Sequence, residues 1–184
     1  MTRFLLFALA LLVAPTLDAQ PCVTRITDED VRVQAAAAVG ELGWRAEPDA
    51  YAAIVEVHVR RARLRGVSPR TMAQAYSAAL RRPPRRRAWV PELRDAPSPP
   101  PSWPQRLRGR WAERRATFAR VERIALEVLT GARDEVCPEA LYYGSTADGP
   151  PGGDPTRWES ACAFESTTQR WWRRVDERAD GGET

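Results

Sequence analysis

The amino-acid sequence predicts a mainly α-helical fold in one domain. Apolar residues recur at three- and four-residue spacing in four long segments, which is the periodicity of an amphipathic helix. The first three segments begin at a capping residue or a proline, and all four end before glycine or proline. We expect the domain to span residues 20–178, between a signal peptide at 1–19 and a disordered tail at 179–184.

The N-terminal segment predicts export. A basic start at residues 1–3 precedes an apolar run at 4–14, which is too short to span a membrane comfortably as a helix. We therefore expect a secretory signal peptide that is cleaved after Ala19, and no membrane span once it is removed. The mature protein is then expected in the periplasm or outside the cell.

The first two helices have clear end signals. Thr27 and the three acidic residues after it favour a helix start, and this helix should run to about Leu42. The second helix should begin at Pro48, where the missing amide proton costs nothing, and end near Arg65. Its apolar residues cover most of the cylinder, so its middle is expected to be buried and to form the core.

The third helix is expected from Ser68-Pro69 to Pro83, with an apolar stripe of period 3.6. Residues 83–104 contain eight of the sixteen prolines and an arginine run, which predicts an extended surface loop. A fourth helix should run from about Gln105 to Thr130. After it we expect a short extended piece at 141–143, a loop at 144–155 and a closing helix from Ser166 to about Arg178.

The residue types that are missing exclude several enzyme classes. All 28 basic residues are arginine, so the chain has no lysine for Schiff-base catalysis or for a phosphate-binding P-loop. His58 is the single histidine, which excludes a two-histidine zinc motif, and its position on the buried stripe favours a core role. No serine lies in a Gly-x-Ser-x-Gly elbow. Carboxylate chemistry remains, above all glycoside cleavage, which needs neither metal nor cofactor.

Three cysteines in an exported chain predict one disulfide and one odd thiol. Cys137 and Cys162 flank a Gly/Pro-rich loop, and a bridge between them would close it, with a closure entropy of about 3 kcal/mol. We expect this pairing. A bridge from Cys22 to either partner is the alternative.

Glu41 is the leading candidate for a catalytic acid. It lies at the expected C-terminal end of the first helix, where the helix dipole and unpaired carbonyls disfavour an ionised carboxylate. The flanking Gly40 and Gly43 leave room for a ligand or a backbone segment, and Leu42 and Trp44 can exclude water. The other acidic candidates are Glu47, Glu56, Glu92 and Asp134, and a helix cap or an ion pair explains several of them.

Two segments carry a resemblance to a known family. Val39-Gly40-Glu41-Leu42-Gly43, followed by Glu47-Pro48 and a buried helix ending in Arg60-Arg61, resembles the start of the spore-cortex-lytic type of cell wall hydrolase. The stretch 125–143, with its helix, its glycine and Leu141-Tyr142-Tyr143, is similar to a later part of the same family. The chain departs from the family where Arg60-Arg61 replaces Asn-Arg and where the second glutamate is displaced by one residue.

The resemblance implies a lysozyme-like, mainly helical domain that cuts the glycan strand of peptidoglycan with a single glutamate, here Glu41. It makes Tyr142 and Tyr143 candidate sugar-stacking residues, and Tyr76 is a candidate for hydrogen bonding to substrate. Glu41 would protonate the glycosidic oxygen and then act as base toward water or toward the sugar's own 6-hydroxyl.

Two other functions compete with glycan cleavage. The first is a non-catalytic exported module that binds glycan or a protein partner on the same lysozyme-like scaffold. The second is nucleic-acid binding, which we do not expect because the basic run at 81–87 lies in a predicted loop of an exported protein. The expected partner is therefore the peptidoglycan glycan strand.

Overall fold

The computed structural model describes residues 25–81, 105–108 and 110–175. Helices precede a small three-stranded antiparallel sheet, so the fold is mixed, with helix predominating. The helices are α1 (Asp28–Leu42), α2 (Pro48–Arg65), α3 (Pro69–Tyr76), α4 (Ala78–Arg81), α5 (Gln105–Arg108) and α6 (Trp111–Thr130). The strands are β1 (Tyr142–Ser145), β2 (Trp158–Ala163) and β3 (Gln169–Arg174), with a short 3₁₀ helix at Pro151–Gly153.

Local capping explains why α1 and α2 begin and end as predicted. Thr27 and Asp30 form a capping box, in which each side chain accepts a hydrogen bond from the other residue's backbone. The backbone N–H of Gly43 closes α1 on the carbonyl of Val39, at a φ of 80° that favours glycine. Gly66 ends α2 in the left-handed conformation. The predicted bounds of both helices are confirmed.

The core forms where α1, α2 and α6 pack together under the sheet. Alanines on α1 are fully buried, and their small side chains let its backbone approach the neighbouring helices closely. The larger buried side chains fill the space between the elements, and each contributes about 1.5–3 kcal/mol of hydrophobic stabilisation. They are Tyr51, Ile54, Val57, Phe118, Val121 and Trp171.

The third helix is broken, contrary to the prediction of one helix from residue 68 to 83. Ser77 has a ψ of 115°, so the chain leaves the helical conformation there and restarts as α4. The Ser77 hydroxyl accepts a hydrogen bond from the backbone N–H of Leu80 at 3.4 Å, as a capping serine does. The competition between side chain and backbone for hydrogen bonds explains the break, which the apolar periodicity did not reveal.

The fourth helix begins at Gln105, as predicted, but it is not continuous. Arg110 has φ −115° and ψ 24°, so α5 and α6 are separate helices, and the prediction of one unbroken helix from 105 to 130 is wrong. Several predictions lie outside the described residues: the signal peptide at 1–19, the loop at 83–104, the tail at 179–184, Cys22 and Glu92. The side chain of Leu107 also lies outside them.

The closing helix predicted from residue 166 is wrong, because β3 occupies this segment. The strand order is β1-β3-β2, and Tyr142 lies opposite Trp172 while Tyr143 lies opposite Trp171. Strand alternation buries Trp171 completely and leaves Trp172 on the opposite face of the sheet. The spacing of apolar residues in this segment fits a helix as well as a strand. The segment forms a strand because it pairs with β1 on one edge and with β2 on the other.

The disulfide between Cys137 and Cys162 is present, as predicted, with a Cα–Cα distance of 5.8 Å. It ties the loop after α6 to β2. Glu56 accepts hydrogen bonds from the backbone N–H groups of Val136 and Cys137, which lead into this bridge, and it does not pair with Arg60 one turn along α2. Arg60 instead donates to the carbonyl of Ala140 and pairs with Glu135. Among the described helices, none is long and apolar enough to cross a membrane.

Candidate functional site

One cavity of about 400 Å³ lies where α2, the α3–α4 segment and β1 meet. The helical elements supply its cationic side and one tyrosine, and β1 supplies two more tyrosines. The lining residues are Val57, Arg61, Arg65, Ala75, Tyr76, Arg81, Tyr142 and Tyr143. The three tyrosines predicted to contact substrate therefore share a single cavity, although they lie far apart in the sequence.

Arginines surround Tyr76 at the cavity wall. The guanidinium carbon of Arg61 lies 3.5 Å from the centroid of the Tyr76 ring, and that of Arg65 lies 5.1 Å from it. Arg61 also donates to the carbonyl of Leu141 at 3.2 Å, and Arg81 donates to the carbonyl of Tyr76 at 3.3 Å. Burial lowers the pKa of Arg61 from its usual value. These contacts hold the positive charges in place around one aromatic ring.

A chain of buried polar groups supports Tyr143 from behind. Gln34 donates to the carbonyl of Pro69 at 2.8 Å, so its oxygen accepts from His58 Nδ1 at 2.7 Å. His58 Nε2 then carries no proton and accepts from the Tyr143 hydroxyl at 3.0 Å. Burial, and then the charge of Arg61, lowers the pKa of His58 to about 3, so the ring stays neutral. The core role expected for His58 matches this arrangement.

Glu41 lies beside the cavity and is not among the residues that line it. Its Oε1 accepts hydrogen bonds from the Ser77 hydroxyl at 2.7 Å and from the backbone N–H of Ala79 at 2.9 Å. Within the described residues Oε2 accepts no hydrogen bond. Burial, and then the negative charge of Glu41, raises the pKa of Tyr143. The carboxylate is therefore fixed through one oxygen and is close enough to the cavity to act on a lining residue.

Gly40 makes this junction between α1 and α4 possible. A Cβ built on Gly40 would lie 2.3 Å from the Cβ of Ala79, far inside the van der Waals limit. The sequence predicted that the glycines beside Glu41 leave room for a ligand or a backbone segment. At Gly40 that room is filled by the α4 segment at Ala79. Glycine allows Ala79 to come close enough to donate to the carboxylate.

The other acidic candidates are engaged elsewhere. Glu47 accepts from the Ser166 hydroxyl at 3.1 Å and does not cap α2 with its side chain. Glu56 is 4% exposed and bonded to two backbone N–H groups. Asp134 is exposed in the loop after α6. Glu41 is the predicted candidate that borders the tyrosine cavity within the described chain.

Sequence reasoning missed the arginines and the serine of the site. Arg61 and Arg65 lie four residues apart and share a face of α2, but arginines at the C-terminal end of a helix are already explained by the helix dipole, so their spacing does not single them out. Ser77 lies inside the predicted third helix and off its apolar stripe, so the only signal was the tendency of a serine within a helix to bond to nearby backbone groups. Their convergence on Tyr76 depends on how α3 folds back over α2.

No group of three or more histidine, cysteine, aspartate or glutamate side chains within the described residues is arranged to hold a metal ion. Comparison of the chain with known protein families, with curated proteins and with solved structures gave no match.

Proposed function

We propose that this protein is an exported enzyme that cleaves the glycan strand of peptidoglycan with Glu41 as its general acid and base. One observation carries the proposal: a carboxylate held through one oxygen, with the other unbonded in the described structure, beside a cavity lined by three tyrosines. The resemblance of residues 39–43 to the spore-cortex-lytic hydrolases supports the same glutamate.

The reaction needs one proton donor at the glycosidic oxygen. Protonated Glu41 would give its proton to that oxygen as the bond from the anomeric carbon breaks and the leaving sugar departs. The resulting carboxylate would then take a proton from the attacking group, either water or the 6-hydroxyl of the same sugar. Glu41 regains its proton in both routes, so no second carboxylate is needed when the 6-hydroxyl attacks.

The tyrosines give the cavity the chemistry of a sugar-binding surface. Aromatic rings present flat apolar faces to the C–H groups of a sugar, and their hydroxyls bind its polar edge. Tyr142 lies 6.3 Å from Trp158 between ring centroids, which extends the aromatic surface beyond the cavity. The Tyr143 hydroxyl donates its hydrogen bond to His58, so its oxygen remains available to accept a hydrogen bond from a substrate hydroxyl.

A non-catalytic binding module is the second candidate function. The observation that favours it is that Glu41 stands beside the cavity lining and that its hydrogen bonds join α1 to the α3–α4 segment, as a structural carboxylate would. Such a module would bind peptidoglycan without releasing fragments.

Incubation of the purified protein with peptidoglycan separates these functions. Soluble fragments are analysed by mass spectrometry for the native chain, for Glu41→Gln and for the matched control Glu165→Gln, an exposed acid in the turn between β2 and β3. Enzymatic function predicts fragments from the native chain and the control but not from Glu41→Gln. Anhydro ends indicate a transglycosylase and reducing ends a hydrolase. Fragment release by both glutamate variants, or by no protein, contradicts the proposal, and co-sedimentation without release supports the module.

A further inference from the structure

The described lining of the cavity is cationic. Arg61, Arg65 and Arg81 line it, and no described aspartate or glutamate does, although Glu41 lies beside the lining. Within the described residues none of these three guanidinium groups forms an ion pair with a carboxylate. Arginines elsewhere in the described structure do so, among them Arg60, Arg70, Arg133 and Arg173.

The arginines are also arranged in advance of any ligand. Arg61 is held by Tyr76 and by the Leu141 carbonyl, and Arg81 is held by the Tyr76 carbonyl. Each guanidinium has five N–H donors, so most of the donors remain available. Fixed donors lose little conformational entropy when an anion binds, and a carboxylate matches the planar fork of arginine.

Tyr143 adds a second requirement. Its hydroxyl proton is committed to His58, so toward the cavity its oxygen acts as an acceptor. A ligand that satisfies this acceptor carries an N–H or O–H group near its carboxylate. A peptide C-terminus has this chemistry, because its carboxylate and its last amide N–H are attached to the same carbon.

We infer that the cavity binds the C-terminal carboxylate of a short peptide. This inference rests on the proposed function for its biological source, since the glycan strand of peptidoglycan bears short peptides with free carboxylates. The volume of about 400 Å³ is in the range of small-ligand sites and accommodates the end of a peptide beside the aromatic surface that Tyr142 shares with Trp158. The cavity would then position the peptide while Glu41 acts on the glycan beside it.

The test is a binding titration followed by NMR on the full mature chain. The probes are N-acetyl-D-alanyl-D-alanine with a free carboxylate, the same dipeptide as its C-terminal amide, and inorganic phosphate. The proteins are the native chain, Arg65→Gln and Arg63→Gln, an exposed arginine on the same helix that does not line the cavity. We expect amidation and Arg65→Gln each to weaken binding by about tenfold or more, because each removes a charge-assisted hydrogen bond. Arg63→Gln should leave binding unchanged.

Three outcomes overturn the inference: equal affinity for the free acid and the amide, equal losses in Arg65→Gln and Arg63→Gln, or tighter binding of phosphate than of the free dipeptide. The dipeptide contains no glycosidic bond, so the result does not depend on cleavage. Carboxylate-dependent binding by a protein that releases no fragments from peptidoglycan would support the inference and contradict the proposed enzyme. Fragment release without carboxylate-dependent binding would support the proposed enzyme and contradict the inference.

Discussion

Glu56 and Glu41 each accept two hydrogen bonds, but the two regions that hold them use the carboxylate differently. In the region around the disulfide, both oxygens of Glu56 are occupied, one by the backbone N–H of Val136 and the other by that of Cys137. At the junction of α1 and α4, both donors reach the same oxygen of Glu41. The first carboxylate is saturated by protein, and the second keeps an oxygen for other chemistry.

This difference is the basis on which we propose a structural role for Glu56 and a catalytic role for Glu41. A saturated, buried carboxylate joins two pieces of backbone, so its value lies in stability. A carboxylate fixed through one oxygen is oriented by the protein but can still exchange a proton with a ligand. Glutamine replaces glutamate with almost the same shape, so the same substitution at both positions tests the distinction.

Glu56→Gln is expected to have the largest effect on stability. Glutamine offers one carbonyl oxygen, and its NH₂ group would face a backbone N–H that needs an acceptor. We expect the free energy of unfolding to fall by about 3–5 kcal/mol, because a buried charged partner of two donors is lost. Urea denaturation measures this change. A loss below about 1 kcal/mol would show that Glu56 is not the saturated structural acid described here.

Removal of the disulfide should have the next largest effect and should sharpen the contrast between the regions. Replacing Cys137 and Cys162 with alanine frees a loop with a sequence separation of 25 residues, which corresponds to about 3 kcal/mol of closure entropy. Urea denaturation of the double variant and of the native chain measures the loss. Fragment release below the unfolding transition should persist, because neither cysteine lines the cavity. Unchanged stability would contradict this account of the bridge.

The buried polar chain behind the cavity should make stability depend on pH. The folded protein holds His58 neutral, with a pKa lowered to about 3, whereas the unfolded chain takes up a proton near pH 6.5. The contribution of neutral, buried His58 to the free energy of unfolding is therefore fully present above pH 6.5. It is lost as the pH falls toward 3, by about 1.4 kcal/mol per pH unit. Between pH 6 and pH 4 the loss is about 2–3 kcal/mol.

Comparison with His58→Gln isolates this contribution, since the variant lacks the titrating ring. Denaturation of both proteins at a series of pH values should show a smaller slope of unfolding free energy against pH for the variant. Equal slopes would mean that His58 is not buried and neutral in the folded protein.

Gly40→Ala should lower stability less than the preceding changes and should have a larger effect on activity. The added methyl group would collide with Ala79, and moving α4 away should cost about 1–2 kcal/mol. The same movement withdraws both donors from Glu41, so we expect fragment release to fall more than tenfold. Gly131→Ala is the control, because its strain costs about 1 kcal/mol while nothing lies within 4 Å of the new methyl. Equal losses of activity in both variants would contradict the role of the junction.

The sequence predicted the parts of the fold that depend on local signals. Helices α1 and α2 begin and end where local signals require it, so Thr27, Gly43, Pro48 and Gly66 were sufficient to predict their bounds. Strand β3 was not predicted, because Trp171 and Trp172 satisfy a helical stripe as well as an alternating strand. Its conformation depends on pairing with β1 and β2, which are distant in the sequence.

The residues of the candidate site also divide into those that the sequence could predict and those that depend on tertiary packing. Glu41 and the tyrosines could be proposed from residue type, helix position and resemblance. The arginines of the cavity could not, because an arginine at a helix end is already explained by the helix dipole. Only the packing of α3 against α2 brings Arg61 onto the ring of Tyr76.

The most direct test of Glu41 as the catalytic acid is to measure the free energy of unfolding and the fragment release of Glu41→Gln and Glu56→Gln in parallel. Glutamine at position 41 can keep its carbonyl oxygen on Ser77 and Ala79, so we expect stability within about 1 kcal/mol of the native chain and at least about a hundredfold less release from peptidoglycan. Glu56→Gln should show the opposite pattern when assayed while folded. Native rates of release by Glu41→Gln, or a loss of stability as large as that of Glu56→Gln, would contradict the assignment of Glu41 as the catalytic acid.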